Sequence, residues 1–553
     1  MRVVGLYNWH DGGYCVLNEG KVEEHIEIER YTRLKEDAGD SLSYFESIYL
    51  KNKNLKIDDI EHWVSPCPDT NLSSGGGKNY DTHKKLPKSK INFYSHHVCH
   101  AAHAFYSSNF EKSLVLTIDS AGLNEKGESV STCGYYGDNK LIRPIFEISN
   151  NVFSLGNLWG RCTRFIFKLS SGYPRGHQAG SVMAMAAFGD PDKYFDDFMR
   201  MASTDYNYVR YTPPGYKRGV YVPPEEDVMH PYLNKYREIA EKDEQEKMNL
   251  AAALQKVTEV QLFNLISQMI EIAKKNNLSF ENLCLAGGVS LNSVFTGKII
   301  SRFKGTIKNV FVPPVPYDGG LSIGACQYHW HHVLGKERDL NKFVSPYLGE
   351  LYTKQDILNA IDNSGDKVIV DNCKIDRCVD LLVENNIISV FKGRSESGRR
   401  ALGNRSILAN PISSKMKNLI NEKVKHRQWF RPFAPSLLEE EGEKWFENYF
   451  PSPYMGFVFK FKKHMLGKVP AVEHKDETAR IQTVNKEQNK EYYELIRRFY
   501  EKTGVPIVLN TSFNDREPIV ENPEHAINCF LGTDIDYLYF LDHEILLTKN
   551  KND

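Results

Sequence analysis

Four histidines fall within one short stretch of small and apolar residues, YSHHVCHAAHAFY at positions 94–106. In an ideal helix, positions i, i+4 and i+7 share a face, so His96, His100 and His103 can point together. Imidazoles one turn apart suit a borderline divalent metal such as Fe(II) or Zn(II). A helix that buries its histidines against alanines and Phe105 is the alternative, and a third ligand would decide between the two.

Two aspartates are the candidates for further ligands. Asp119 ends the apolar run SLVLTID, and the carboxyl end of a strand delivers a side chain into a cleft. Asp318 stands in PYDGG, where two glycines allow a ligand to approach closely. Each aspartate alone is more typical of a turn or a helix cap. Together with the paired histidines, they predict a catalytic metal site with open positions.

Cationic residues gather in the last third of the chain. They are Arg394, Arg399, Arg400 and Arg405 in FKGRSESGRRALGNRSILANP (391–411), Lys425, Arg427 and Arg431 in KVKHRQWFRPFAPS, and Arg480 in ETARIQTV. Arginine binds phosphate oxygens in a bidentate manner, and the interleaved glycines and apolar residues disfavour the alternative of a solvated charged helix. The polar turn LNTSFN (509–514) follows. The region therefore predicts a site for an anionic substrate, phosphate or nucleotide.

Two further motifs are chemically ambiguous. His10 and Asp11 follow the first predicted strand and could form a base dyad, although a loop histidine beside a turn aspartate explains them equally well. LAGGVSLN is a strand, a Gly-Gly turn and a helix, whose amides can hold a phosphate or an adenosine moiety. Its glycines would also serve a simple tight turn.

Composition limits the classes of protein to consider. The chain has 553 residues, with 41% hydrophobic and 25% charged residues and a net charge of -1. This gives no indication of a nucleic-acid partner or of an acidic membrane surface. No apolar run approaches the length of a membrane span, no leader is recognisable, and the ten cysteines are scattered. We expect a cytoplasmic protein with free thiols.

The pattern of elements predicts an α/β fold in two domains. MRVVGLY reads as a strand, and the next residues read as a hairpin that turns at Asn18-Glu19-Gly20. The strongest helix is predicted over 248–277, whereas 204–244, rich in Tyr and Pro, is predicted to be an irregular insertion that could stack on a sugar or nucleoside. A new α/β series with QDILNAI, VIVDN and IISVF begins near 345–355.

The chain resembles the O-carbamoyltransferases of the NodU/TobZ type over nearly its whole length. The resemblance rests on motifs in a fixed order: IERYTRLK, HHVCHAAHAF, VLTIDSAG, GHQAGSVMAM, LAGGVSLN, PYDGGLSIGA, GRRALGNRSIL, FRPFAPS, ARIQTV and LNTSFN followed by EPIV. It implies a two-lobed ASKHA-type (actin-like) domain over 1–348 and a YrdC-like α/β domain over 349–553. The second domain would make carbamoyl-adenylate from carbamoyl phosphate and Mg-ATP, releasing pyrophosphate. The first would pass the carbamoyl group to a hydroxyl of a small-molecule acceptor, releasing AMP.

The resemblance also implies roles for individual residues. Fe(II), or another divalent metal, would be held by His96, His100, Asp119 and Asp318, and His10 would deprotonate the acceptor hydroxyl. Carbamoyl phosphate and the nucleotide phosphates would be bound by Arg400, Lys425, Arg431, Arg480, Asn510 and Ser512. Carbamoyl-adenylate would be held by Lys35, Gly287, Gly288 and Asn292.

The chain departs from the usual motifs at two of these sites, with Arg399 in place of a proline and Ser181 in place of a lysine. An ASKHA-type phosphotransferase such as a sugar kinase, and a non-catalytic nucleotide-binding regulator, are the alternative functions. The first leaves the paired histidines and the later arginines without a role. The resemblance leaves open whether the acceptor is a sugar, an antibiotic or another secondary metabolite. It also leaves open whether the protein forms a homodimer.

Overall fold

The protein is an α/β protein that divides into two compact units. The structure, a computed structural model, describes residues 1–66, 74–75, 78–79, 82–169, 178–203, 231–341 and 343–550. The units are Met1–Val344 and Ser345–Asp553, whereas the sequence analysis put the boundary at residue 348. Each unit combines helices with a mixed sheet, which confirms the α/β class.

The first sheet of the first unit begins with a three-stranded antiparallel meander and continues with two parallel strands. From edge to edge its strands are Lys21–Glu27, Gly13–Asn18, Arg2–Tyr7, His62–Ser65 and Ile91–Phe93. The predicted hairpin is confirmed, since its turn has φ of 47° at Glu19 and 78° at Gly20. Two consecutive left-handed residues match the twist of the flanking strands.

The second sheet repeats this arrangement with the same order and the same strand directions. From edge to edge its strands are Leu141–Ser149, Ser129–Asp138, Lys112–Leu123, Asn282–Ala286 and Asn309–Phe311. The first unit therefore contains one sheet topology twice.

Helices pack against both sheets. The described α-helices of the first unit are Glu29–Thr32, Ser41–Phe45, Lys51–Lys53, Thr82–Lys85, His96–Tyr106, Leu155–Arg161, Ala179–Met185, Phe195–Ser203, Pro231–Lys242, Glu244–Lys275, Ser293–Thr296, Ile299–Arg302 and Leu321–Tyr328. The helix His96–Tyr106, called the histidine helix below, packs on Leu321–Tyr328 and on the second sheet. The long helix predicted over 248–277 is confirmed as Glu244–Lys275, and the Asp243 side chain caps it by accepting from the amide of Glu246.

Two expectations for the first unit need correction. The strand SLVLTID does not end at Asp119 but continues to Leu123, with a shift in pairing between Ile118 and Gly122. Asp119 therefore lies in a bulge, which redirects side chains locally. The predicted insertion 204–244 is helical over Pro231–Lys242, and its tyrosines at 206–221 lie outside the described residues.

The second unit is built on an eight-stranded mixed sheet and a separate two-stranded ribbon. Across the sheet the strands are Val368–Asn372, Ile545–Lys549, Tyr537–Phe540, Ile388–Phe391, Arg405–Ala409, Ile507–Ser512, Ala434–Leu438 and Gln482–Val484. The ribbon pairs Val458–Lys460 with Thr478–Arg480. The described α-helices are Lys354–Asn363, Ile375–Val383, Met416–Lys423, Gly442–Trp445, Lys490–Thr503 and Pro523–Leu531. The predicted helix at QDILNAI and the strands at VIVDN and IISVF are confirmed.

Across the described segments, none of the helices combines the length and the apolar character needed to cross a membrane.

Candidate functional site

Four side chains from three separated segments converge in the first unit. His96 and His100 come from the first two turns of the histidine helix, Asp119 from the bulged strand, and Asp318 from the start of the 3-10 turn Asp318–Gly320. One ligand atom from each lies within 4.8 Å of the others. The structure thus brings together the residues that the sequence analysis proposed as metal ligands.

The Nε2 atom of His100 lies at the centre of the group. It is 3.1 Å from Nε2 of His96, 3.1 Å from Oδ2 of Asp119 and 3.3 Å from Oδ1 of Asp318. The Nε2 atom of His96 lies 3.8 Å and 3.6 Å from the same two carboxylate oxygens. Two imidazole nitrogens and two carboxylate oxygens facing one point form a donor set that fits a borderline divalent cation.

The charges in this group are strongly coupled. Burial lowers the pKa of His100, but the carboxylates of Asp119 and Asp318 outweigh it and raise that pKa to about 9. Burial raises the pKa of Asp119, but His100 and His96 outweigh it and hold that pKa well below its usual value. The two carboxylates therefore favour a proton on His100. A divalent cation would replace that proton, since metal ligands must be deprotonated.

Backbone groups and glycines around the cluster fix its shape. The amide of Ser120 donates to Oδ1 of Asp119 at 2.6 Å, and the amide of Gly288 donates to Oδ2 at 3.2 Å. A Cβ atom at Gly122 would lie 2.4 Å from Cδ2 of His96, so only glycine leaves space for this ring. The Gly-Gly turn has φ of 87° at Gly287, where a Cβ would meet the backbone oxygen of Ile118 at 2.2 Å.

The other two histidines of the stretch have packing roles. His97 is 2.8 Å from the hydroxyl of Thr117 through Nδ1 and 3.1 Å from the carbonyl of Val130 through Nε2. His103 is fully buried beside Gly320 and Ser107. Burial lowers the pKa of both imidazoles to about 3, so they stay neutral. Of the three histidines expected on one face, only His96 and His100 face the carboxylates.

His10 lies at the edge of the cluster. Its Nε2 is 3.4 Å from Oδ2 of Asp318, and its Nδ1 is 3.1 Å from Oδ2 of Asp11. Burial lowers the pKa of His10, but Asp318 and Asp11 outweigh it and raise that pKa to about 9. The side chain is 37% exposed, so a substrate can reach it.

Lys35 lies in a loop packed beside the His10 loop. The amides of Asp11 and Gly12 donate to the carbonyls of Glu36 and Asp37. Lys35 itself is half-buried. Its expected role, adenylate binding, stays a prediction.

Asn292 is held within the protein. Its Oδ1 accepts from the amide of Phe295 at 3.2 Å, and its Nδ2 donates to Gln255 at 2.8 Å. The side chain therefore caps the helix Ser293–Thr296 and anchors the end of the 3-10 turn Gly288–Leu291 to Gln255, and a direct ligand contact stays a prediction. The GHQAGSVMAM motif is described only from Gln178 onward, where the buried Ser181 hydroxyl donates to Gln178 at 3.3 Å.

Sequence reasoning missed Tyr7. Its hydroxyl donates to Oδ2 of Asp318 at 3.0 Å, across 311 positions of the chain. The only local signal was its place at the end of the first predicted strand, close to His10.

In the second unit, four arginines form a cluster of positive charge. Arg480 ends a ribbon strand, and its charge interacts with those of Arg400, Arg427 and Arg431. Burial, reinforced by these neighbours, lowers the pKa of Arg480 well below its usual value. No described carboxylate forms an ion pair with Arg427, Arg431 or Arg480. An unbalanced cluster of this kind is costly to keep and fits an anionic ligand.

The remaining predicted residues of the second unit support this cluster from within the protein. Nζ of Lys425 donates to the hydroxyl of Ser512 at 3.3 Å and to both oxygens of Asn514 at 2.7 Å. Asn510 donates to the carbonyl of Ala401 at 3.1 Å and to Gln482 at 3.0 Å. These contacts shape the strand ends, and direct binding of substrate by Lys425, Asn510 and Ser512 stays a prediction.

Arg405 differs from the other arginines of its motif. It is fully buried, its guanidinium stacks 3.5 Å above the centre of the Phe391 ring, and it donates to the backbone carbonyls of Lys392, Gly393 and Glu521. Its function is therefore structural, and the phosphate role suggested for the whole run does not extend to it.

Comparisons with known proteins identify the family. Residues 78–327 match the family model described as carbamoyltransferase N-terminus, and residues 379–548 match the one described as carbamoyltransferase C-terminus. Nodulation protein NolNO of Sinorhizobium fredii is 32% identical over 96% of this chain and 78% of its own length. Nodulation protein NolO of Bradyrhizobium diazoefficiens is 33% identical over 80% of this chain and 77% of its own length.

Two further matches are less informative about activity. An uncharacterised protein of Synechocystis is 30% identical over 96% of this chain and 94% of its own length. The crystal structure of full-length HypF in its phosphate- and nucleotide-bound form is 14% identical, with 61% and 56% of the two chains covered. Its TM-score of 0.36 is too low to support a conclusion. The two family models and the nodulation relatives show that this chain belongs to the carbamoyltransferase family and is a carbamoyltransferase enzyme.

Proposed function

We propose that this carbamoyltransferase is ATP-dependent, forms carbamoyl-adenylate in its second unit and transfers the carbamoyl group in its first. The acceptor is a hydroxyl of a small molecule such as a sugar, an antibiotic or another secondary metabolite. The observation that carries the proposal is the meeting of His96, His100, Asp119 and Asp318 within 4.8 Å, with His10 beside them. The repeated sheet topology supports an ASKHA-type first domain, and the second unit is proposed to be YrdC-like.

The arginine cluster suits the activation step. Carbamoyl phosphate and Mg-ATP are both anionic, and the charges of Arg427, Arg431 and Arg480 are balanced by no described carboxylate. Carbamoyl phosphate and water give carbamate and inorganic phosphate, and carbamate and ATP then give carbamoyl-adenylate and pyrophosphate. Fixed guanidinium groups stabilise the charge that develops on the phosphoryl oxygens and need no reorganisation during the reaction.

The first unit supplies the transfer step. His96, His100, Asp119 and Asp318 would hold a divalent ion, Fe(II) in this proposal, which would supply Lewis-acid chemistry for the carbamoyl carbonyl. His10 takes the proton of the acceptor hydroxyl at Nε2, while Asp11 holds the ring through Nδ1. Because the Asp318 carboxylate raises the pKa of His10, a cation that balances this carboxylate brings the pKa back toward the range of a useful base.

The adenylate is proposed to lie along the Gly-Gly turn. A Cβ at Gly288 would lie 3.5 Å from Oδ1 of Asp119, so the missing side chain there leaves room for the ligand beside this carboxylate. Lys35, from the loop beside His10, adds a positive charge for the phosphate of the adenylate. Asn292 contributes by fixing the turn through its bond to Gln255.

The decisive experiment measures products in two stages. The protein, loaded with Fe(II), is incubated with Mg-ATP and carbamoyl phosphate, and pyrophosphate and AMP are quantified. A library of alcohols is then added, and products are scored by mass for the gain of one carbamoyl group. We expect His10→Asn to keep pyrophosphate formation and to lose carbamoyl transfer.

Three outcomes would contradict the proposal. ADP without pyrophosphate would indicate a phosphotransferase. No pyrophosphate with any divalent metal would reject adenylate formation. Full carbamoyl transfer by both His10→Asn and Asp119→Ala would reject the roles assigned to the first unit.

A further inference from the structure

We propose that Tyr7 is a positioning residue that orients the Asp318 carboxylate, so that one oxygen serves the metal while His10 remains available for the acceptor. The inference rests on the metal site in the proposed function and adds a residue to it.

The two oxygens of Asp318 face different partners. Oδ1 faces the histidine pair, 3.3 Å from Nε2 of His100 and 3.6 Å from Nε2 of His96. Oδ2 points away from the pair, 3.0 Å from the hydroxyl of Tyr7 and 3.4 Å from Nε2 of His10. A single carboxylate therefore connects the metal cluster with the candidate base.

Of the two neighbours of Oδ2, Tyr7 is the more firmly placed. It is 3% exposed and ends the strand Arg2–Tyr7 at the centre of its sheet, where it pairs with Gly13. His10 lies in a loop, has a side chain that is 37% exposed, and makes the longer contact. Tyr7 can satisfy Oδ2 by itself while the His10 ring turns toward an acceptor.

The backbone around Asp318 is held independently of Tyr7. The Tyr317 hydroxyl donates to Glu27, and His25 Nε2 lies 2.8 Å from the carbonyl oxygen of Gly319. Loss of the Tyr7 hydroxyl should therefore leave the turn in place and free only the carboxylate to rotate. Hydrogen bonds to a ligating carboxylate typically affect metal affinity by about 10- to 100-fold.

The test compares Tyr7→Phe with Tyr14→Phe. Tyr14 is also buried in this sheet, and its hydroxyl also donates to a carboxylate, Glu24, at 2.7 Å. Tyr14 packs against Phe45 in a hydrophobic group separate from the one that contains Tyr7, so its variant controls for the loss of a buried hydroxyl. Fe(II) affinity is measured by chelator competition on the full-length protein. The kcat and KM of carbamoyl transfer are measured at increasing concentrations of Fe(II).

We expect Tyr7→Phe to weaken Fe(II) binding about 10- to 100-fold and Tyr14→Phe to leave it within about threefold. Excess Fe(II) should restore most of the kcat of Tyr7→Phe, which a general folding defect would not allow. Equal affinities in the wild type and Tyr7→Phe, or equal losses in the two variants, would overturn the inference and leave the proposed site intact. Failure of the wild type to bind any divalent metal would overturn the proposed metal site and this inference with it.

Discussion

Histidines that are close in sequence have different surroundings because their nitrogens meet different partners. Nε2 of His100 faces two carboxylates, whereas both nitrogens of His97 are engaged by Thr117 and Val130. Both rings are buried, so burial alone does not separate a ligand from a packing residue. The charge of the neighbouring groups makes the distinction.

At the level of the residue, His100→Ala should abolish metal binding, since it removes the central nitrogen of the cluster. His97→Asn is the control, because Asn can keep a hydrogen bond near Nδ1. It should retain metal and lose about 1–3 kcal/mol of stability. Metal content after desalting and urea unfolding are the measurements, and equal metal loss in the two variants would contradict the ligand assignment.

Arg480 offers a second residue-level prediction, in which stability and activity change in opposite directions. Replacing this partly buried, unbalanced guanidinium with Met should raise the free energy of unfolding of the second unit by about 1–2 kcal/mol. Pyrophosphate formation should fall by about 100-fold, since the anion site loses a charged contact.

The matched control for that variant is Arg405→Met. Arg405 donates to several backbone carbonyls, so its loss should reduce stability by about 3 kcal/mol or more. Denaturant unfolding and the pyrophosphate assay distinguish the two arginines. A destabilised Arg480→Met would show that Arg480 serves the fold.

At the level of the element, the histidine helix and the bulged strand depend on one another. The helix places two imidazoles one turn apart, but their distance from Asp119 is set by the shift in strand pairing between Ile118 and Gly122. Gly122 lets the bulge and the His96 ring share this space. The proposed metal site is thus a product of the contact between two elements.

Gly122→Ala tests this dependence. A Cβ at 2.4 Å from Cδ2 of His96 must displace the ring, at a cost of about 1–3 kcal/mol. We expect metal affinity to fall at least about 10-fold in a protein that still folds. The control is Gly160→Ala on the helix Leu155–Arg161, where a Cβ meets no atom within 4 Å. Unchanged affinity in Gly122→Ala would show that the space beside His96 is not needed.

At the level of the whole molecule, opposite charges gather at separate local sites although the total charge is close to zero. The first unit concentrates carboxylates and imidazoles around one point, and the second concentrates guanidinium groups. The net charge of -1 conceals both sites. The balance of charges within each site, and not the total charge of the protein, therefore indicates which ligands each unit can bind.

Acid stability of the first unit should depend on neutral buried histidines distant from the cluster. Burial lowers the pKa of His331 to about 4, so as pH falls from about 6.5 to 4 the unfolded state takes up a proton that the folded state does not. Stability is therefore lost over this window, by up to about 3 kcal/mol for this residue, and the loss ends below pH 4.

His331→Asn should reduce the dependence of the free energy of unfolding on pH between about pH 6.5 and 4. Asn cannot titrate, and its amide can still donate to the carbonyl of Lys336, which His331 Nδ1 meets at 3.0 Å. Urea midpoints measured from pH 4 to pH 8 would show a flatter profile for the variant. An unchanged profile would mean that the pKa of His331 is the same in the folded and unfolded states.

Sequence patterns were sufficient to predict many secondary-structure elements and the family. Hydrophobic periodicity, turn-forming residues and helix caps depend on residues that are close in sequence. The hairpin at Glu19–Gly20, the helix Glu244–Lys275 and the strand–turn–helix at Gly287 were therefore predictable. The order of the motifs was sufficient to indicate a carbamoyltransferase, because residue types at fixed spacing can be recognised without knowing which residues contact one another.

The contacts between residues that are distant in sequence became evident only in the tertiary structure. The bulge at Asp119, the contact of Tyr7 with Asp318 across 311 positions, and the facing of only His96 and His100 toward the carboxylates depend on how separate segments pack. The engagement of Asn292 and Asn510 by other side chains was hidden for the same reason. Side-chain direction and hydrogen-bond partners come from long-range packing, which local sequence patterns do not encode.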